Sequence, residues 1–291
     1  MFGRGPASWK SLTAWLRGGN GRLAPGRRLR AGAEKLPVAA PPQGLAFRDN
    51  GVRLGCLLVH GLTSTPQSMR ALGSAFVQRG IDVEGILLPG HGTRPENLRG
   101  VGWTGWYAAV AEGVRSLRAR CDRVFVLGQS LGGSLALHAA AHEHVDGVIT
   151  LAAIAYLRDW RLWFLPLLVP VVRWRRRPVN DIARPGAVDA GSYDRMPLGA
   201  VQQLLDLARQ VRAELPRVRV PALVVQSRAD HVVPAGNAQY IYEHLGSTTK
   251  ELVRLNHSYH VISLDNDFDL VVDRCVRFMR KIGYAEQPVV L

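Results

Sequence analysis

From Gly44 onward, short unbroken runs of Val, Ile and Leu alternate with longer stretches in which apolar residues recur every three to four positions. The runs GCLLVH (55–60), VEGILL (83–88), RVFVLG (123–128), GVITLA (147–152), ALVVQS (222–227) and ELVRL (251–255) read as strands covered on both faces of a sheet. Between them, 67–80, 103–120, 130–142, 198–214, 235–245 and 265–281 carry the helical period. Alternation of the two kinds predicts an α/β fold: a doubly wound, mostly parallel sheet with right-handed crossovers. One connection breaks the rhythm. Nearly seventy residues separate the strand ending near Ala152 from the one starting near Pro221. That is too long for a crossover and too short for a second domain, so 155–216 is expected to form a cap inserted over one edge of the sheet.

Residues 1–43 show little apolar periodicity and are rich in Gly, Arg and Pro, so a basic, flexible tail is expected ahead of a domain spanning 44–291. No stretch there is apolar enough for a signal peptide. Charge sharpens this picture. The net charge is +14, yet residues 1–36 alone hold eight Lys or Arg against one acid, Glu34, and Arg173, Arg175, Arg176 and Arg177 add a second cluster. The rest of the chain is close to balanced, and nothing resembles a nucleic-acid-binding module, so nucleic acid is not expected as a partner. The three cysteines, Cys56, Cys121 and Cys275, are too few and too far apart for a disulfide framework or a thiolate zinc site, and a reducing, cytoplasmic setting is the default.

The arginine cluster closes DWRLWFLPLLVPVVRWRRRP, residues 159–178. Its uninterrupted apolar part, Leu162–Val172, contains two prolines and is about half the ~20 residues a membrane span requires. Two uses remain. As a cap it lines an acyl pocket; as an interfacial element its Trp and Leu residues enter lipid while the arginines meet anionic headgroups, making the protein peripheral to a membrane. YDRMPLGAVQQLLDLARQVRAEL, residues 193–215, is expected to complete the cap as an amphipathic helix.

The chemistry begins at Gly128-Gln129-Ser130-Leu131-Gly132, between a strand and a helix. This is a Gly-x-Ser-x-Gly pattern, in which a sharp turn exposes the serine hydroxyl and the glycines remove side chains that would clash. A serine needs a base, and the base needs an orienting acid. Asp230 follows one later strand; His257 and His260 follow the next. The amides after the nucleophile and after the first strand, those of Leu131 and Leu62, are placed to receive an oxyanion. His60 and His91 read as structural turn residues. His138 and His142 are four apart on a helix and could share a face, but without a third ligand and with no His-Glu-x-x-His pattern no metal is expected, and no cofactor is needed.

The stretches LLVHGLTSTPQSMRALG, LPGHGTRPENL, GQSLGGSLAL, VVQSRADHVV and HVISLDNDFDLV resemble the α/β-hydrolase superfamily, and within it the small bacterial carboxylesterases and monoacylglycerol lipases. The resemblance covers about 50–155 and 215–283. It implies His260 as the base, Asp230 as the acid, Ser130 as the nucleophile, and Leu62 and Leu131 as oxyanion donors. Tyr259 departs from the family, which usually has glycine there, and is expected to narrow the pocket beside the base. The resemblance further implies a carboxylic ester hydrolase working through an acyl-serine on a small lipid-like ester, a monoacylglycerol or medium-chain acyl ester. A thioesterase, a lysophospholipase, an acyltransferase or a non-catalytic ligand-binding relative would show the same motifs.

Overall fold

The computed structural model describes residues 51–157, 169, 174–176 and 180–284. Six strands make one parallel sheet: β1 (Leu54–Val59), β2 (Asp82–Ile86), β3 (Arg123–Gln129), β4 (Gly147–Leu151), and, after the insertion, β7 (Ala222–Ser227) and β8 (Lys250–Leu255). Their order is β2-β1-β3-β4-β7-β8, with every pairing parallel. The chain starts one strand in from an edge, adds β2 at that edge, then returns past β1 and winds to the other. The helices that return it are α1 (Arg70–Val77), α2 (Trp103–Arg118), α3 (Leu131–His142), α4 (Leu198–Glu214), α5 (Gly236–His244) and α6 (Phe268–Gly283).

The four inner strands are buried almost throughout because successive side chains enter two different cores, while the edge strands β2 and β8 carry charged residues. Leu57, Val59, Val124, Val126, Val148 and Val224 face one layer, where Trp106, Val110 and Val114 of α2 meet Leu135 of α3 and Leu207 and Val211 of α4. Leu58, Phe125, Leu127, Ile149, Leu223 and Val225 face the other, against Leu72 and Phe76 of α1 and Val272, Cys275 and Met279 of α6. All three cysteines are free and buried.

The insertion differs from its expected form at one end. Residues 193–215 are not helical throughout: Arg195–Pro197 form β6, antiparallel to β5 (Trp174–Arg176), and α4 begins at Leu198. The proline is the physical reason, since it disfavours helical backbone at Met196, and the pairing with β5 uses the extended chain that results. The 1–43 tail lies outside the described residues, as do Arg173, Arg177 and most of 159–178. No helix among the described residues is long and apolar enough to cross a membrane.

Candidate active site

Ser130 sits at the junction of β3 and α3 with φ 56° and ψ −117°. A non-glycine residue rarely adopts that backbone, and here the packing enforces it. A Cβ on Gly128 would lie 2.0 Å from the Gly132 carbonyl oxygen, and one on Gly132 would lie 2.1 Å from that of Val59. The Ser130 amide is fixed by the Leu151 carbonyl at 2.8 Å. The turn therefore closes only with glycine at both flanks, and it points the serine side chain above the carboxyl ends of the strands.

The later strands deliver the other predicted residues to the same place. His260 Nε2 lies 3.0 Å from Ser130 Oγ, and His260 Nδ1 lies 2.9 Å from Asp230 Oδ2. The alternative, His257, is exposed, its amide donating to Asp267 at 2.9 Å. Asp230 is held on every side. Its Oδ1 accepts the amides of Val232 and Val233, and its Oδ2 also accepts Gln226 Nε2 at 2.6 Å. Burial opposes its charge, but the His260 imidazole and those amides outweigh burial and keep the carboxyl below its ordinary range. An ionised Asp230 accepts from His260 Nδ1–H, which leaves Nε2 as the acceptor for the serine hydroxyl.

The two predicted oxyanion donors flank the serine. Leu131 is the first residue of α3, so its amide has no carbonyl one turn back to bond. Leu62 lies in the turn closed by Ser64 N–H donating to the Gly61 carbonyl, and a Cβ on Gly61 would lie 3.4 Å from Ser130 Cβ. His60 anchors that turn. Its Nδ1–H donates to the Gly61 carbonyl and its Nε2 accepts the Leu88 amide, a pairing only the neutral ring can make. Burial, reinforced by His91, pushes its pKa down to about 3. Burial likewise lowers His91 to about 4. Both are structural, as expected from their turns.

Ser130, Asp230 and His260 open on a cavity of about 510 Å³. Its lining includes apolar side chains, Ile154, Leu157, Met196, Val201 and Leu204, and polar ones, Thr63, Ser64, Asp181 and Asp189. The insertion supplies much of both. Sequence reasoning missed Asp181, Asp189 and Gln226. Asp181 accepts the amides of His231 and His260 and the His231 imidazole, and Asp189 accepts Ser64 Oγ–H at 3.0 Å. No local signal marks these carboxylates; their partners are 50 to 125 residues away. Tyr259 packs edge-on against His231, which itself lines the cavity, so it acts on the wall through that ring. Of the arginine cluster, Arg175 lines the cavity and Arg176 is exposed. Trp174, beside them, has the guanidinium groups of Arg99 and Arg195 over its ring.

A parallel sheet with a strand–serine–helix elbow, and later strands bringing Asp and His to the serine, defines a serine hydrolase of the α/β-hydrolase fold. The sequence pattern of the family described as serine aminopeptidase, S33, matches residues 51–267, and the chain belongs to that family. It is 36% identical over 257 residues to a thermostable monoacylglycerol lipase of Bacillus sp. (strain H-257), covering 86% of this chain and 98% of that relative. It is 26% identical to a carboxylesterase of Bacillus subtilis (strain 168), over 82% of this chain and 97% of that one. Among solved structures, that reported for the metagenome-derived lipolytic enzymes LipS and LipT superposes with a TM-score of 0.76 at 37% identity, covering 79% of this chain and 95% of the other.

Proposed function

We propose that this protein hydrolyses carboxylic esters through an acyl-serine intermediate, and that its substrates are monoacylglycerols or medium-chain acyl esters. The observation that carries the reading is the unbroken relay Ser130–His260–Asp230 opening on a cavity lined by both apolar and polar side chains. The names of the relatives support the ester class over the peptide class.

In this reading Ser130 Oγ attacks the ester carbonyl as His260 Nε2 takes its proton. Asp230 holds the imidazole in the required tautomer and stabilises its positive charge. The Leu62 and Leu131 amides receive the developing oxyanion, each worth ~3 kcal/mol of transition-state stabilisation. His260 then protonates the departing alcohol, and a water deprotonated by the same ring releases the acid. The Ile154–Leu204 side of the cavity takes the acyl chain, while Ser64 and Asp189 offer hydrogen bonds to a polyol such as glycerol.

The test joins fluorophosphonate labelling to a substrate profile. Folded wild-type protein is expected to label and Ser130→Ala not to. Hydrolysis is expected to rise with acyl length on p-nitrophenyl esters and to extend to monoacylglycerols, with amino-acid p-nitroanilides turned over at least a hundredfold more slowly. Failure of the folded protein to label would end the proposal; faster anilide than ester turnover would move it to the peptidases.

A further inference from the structure

Away from the serine, α3 and α4 meet over a group of side chains that ester hydrolysis leaves unused. His138 and His142 occupy one face of α3, and Glu214, the last residue of α4, stands between them. Its Oε2 lies 2.6 Å from His138 Nδ1, and its Oε1 lies 2.7 Å from His142 Nε2. Gln210 Nε2 also donates to Oε1 at 2.6 Å. The third ligand that the sequence withheld is thus brought in by the fold, from 72 residues further along the chain.

We propose that His138, His142 and Glu214 bind a divalent transition cation of the zinc class, and that the ion clamps the helix behind Ser130 to the insertion.

Three features carry this. The first is reach. The ligand atoms all lie within 4.8 Å of one another. Metal–ligand bonds of about 2.1 Å set tetrahedral neighbours roughly 3.4 Å apart, so the hydrogen-bonded pairs need to open by only ~0.7 Å. The second is charge. Glu214 is buried, its ion-pair partners are the two imidazoles, and among the described residues no Lys or Arg forms an ion pair with it. A buried carboxylate with no Lys or Arg partner is one whose charge a bound cation would compensate. The third is access. His142 is 33% exposed, which gives an entry path and room for water at a fourth position. A neutral imidazole presents its lone pair to the ion by moving its proton to the other ring nitrogen, so coordination requires no ionisation step. Two imidazoles and one carboxylate favour zinc, cobalt or nickel over magnesium or calcium. The site lies about two helical turns from Ser130, roughly 12 Å along the helix axis, and is separate from the ester chemistry.

The test strips the full-length protein with EDTA and titrates it with zinc chloride and, separately, cobalt chloride. Expected are saturable 1:1 zinc binding by calorimetry, visible d–d bands from four-coordinate cobalt, and a rise in Tm of roughly 5 °C at a hundredfold excess over Kd. Glu214→Gln and His142→Gln each lower zinc affinity at least tenfold. Metal-free turnover of a p-nitrophenyl ester stays within twofold in both, so the result is independent of the proposed activity. His142→Gln alters a partly exposed side chain and decides the matter if Glu214→Gln fails to fold. Absence of saturable binding, or equal affinity in wild type and His142→Gln, overturns the proposal.

Discussion

A single methyl group separates a working elbow from an impossible one. At Gly132 an added Cβ meets backbone oxygens of both Val59 and His60, atoms fixed by strand pairing and by the His60 turn. Neither can retreat without shifting β1 or the Leu62 loop. Gly132→Ala is therefore expected to destabilise the fold by about 3 kcal/mol or more, the range of backbone overpacking, and to abolish fluorophosphonate labelling of whatever folds. Gly199→Ala is the control: its Cβ meets nothing within 4 Å, it lies in α4, and the change should be neutral to slightly stabilising. Urea midpoints of the two variants measure the contrast, and a mild Gly132→Ala would show that β1 yields. This part of the site was legible in the sequence because the elbow is local: five consecutive residues contain both the nucleophile and the glycines its geometry demands. Gln226 was not legible. It is a buried residue of an apolar strand, and only the fold places its amide on Asp230.

At the scale of elements, the six strands of the parallel sheet and the six helices fall close to where the hydrophobic pattern puts them, since unbroken apolar runs and the 3.6 period are local consequences of burial. The insertion was read less well. Its middle segment around Asp181–Arg184 has no periodicity, yet it is stitched to the loops that carry Asp230 and His260. The Asp181 carboxylate takes the amides of His231 and His260, the Asp181 carbonyl takes that of Val261, and Asp265 takes those of Ala183 and Arg184. The His260 loop is thus positioned partly by the insertion. Asp181→Ala leaves the exposed His231 amide to water and the part-buried His260 amide without its acceptor, and an orphaned donor away from water costs about 1–3 kcal/mol. The loop is expected to relax, with kcat for a p-nitrophenyl ester falling about tenfold, KM changing less than threefold, and far-ultraviolet circular dichroism unchanged. Asp181→Asn keeps one acceptor oxygen and should recover part of the loss. A kcat equal to wild type in Asp181→Ala would remove the positioning role.

For the molecule as a whole, the neutral buried histidines make stability depend on pH in a window set by their own shifts. In the unfolded chain each has the ordinary value of about 6.5. In the folded chain burial and the neighbouring His91 bring His60 to about 3, and burial brings His91 to about 4. Below pH 6.5 the unfolded state takes up protons that the folded state refuses, so stability is full above that value and is lost as pH falls toward 4. Each ring contributes a slope of about 1.4 kcal/mol per pH unit, so the pair costs roughly 3–5 kcal/mol between pH 6.5 and 4.5. Asp230 has the same sign but a lower window. Its folded value is depressed, so its contribution is present above about 3.9 and disappears only below. Denaturant unfolding at pH 7, 6, 5 and 4.5 is expected to show that decline, with imidazole nitrogen shifts in the folded protein still reporting a neutral, Nδ1-protonated His60 at pH 5. A protonated His60 at pH 5 in a still-folded chain would break the link, because the Leu88 amide would then have lost its acceptor while the Leu62 turn held. The buried His60 and His91 rings beside the Leu62 turn would thus set the acid limit of the fold together, at a pH above the window in which the Asp230 contribution is lost.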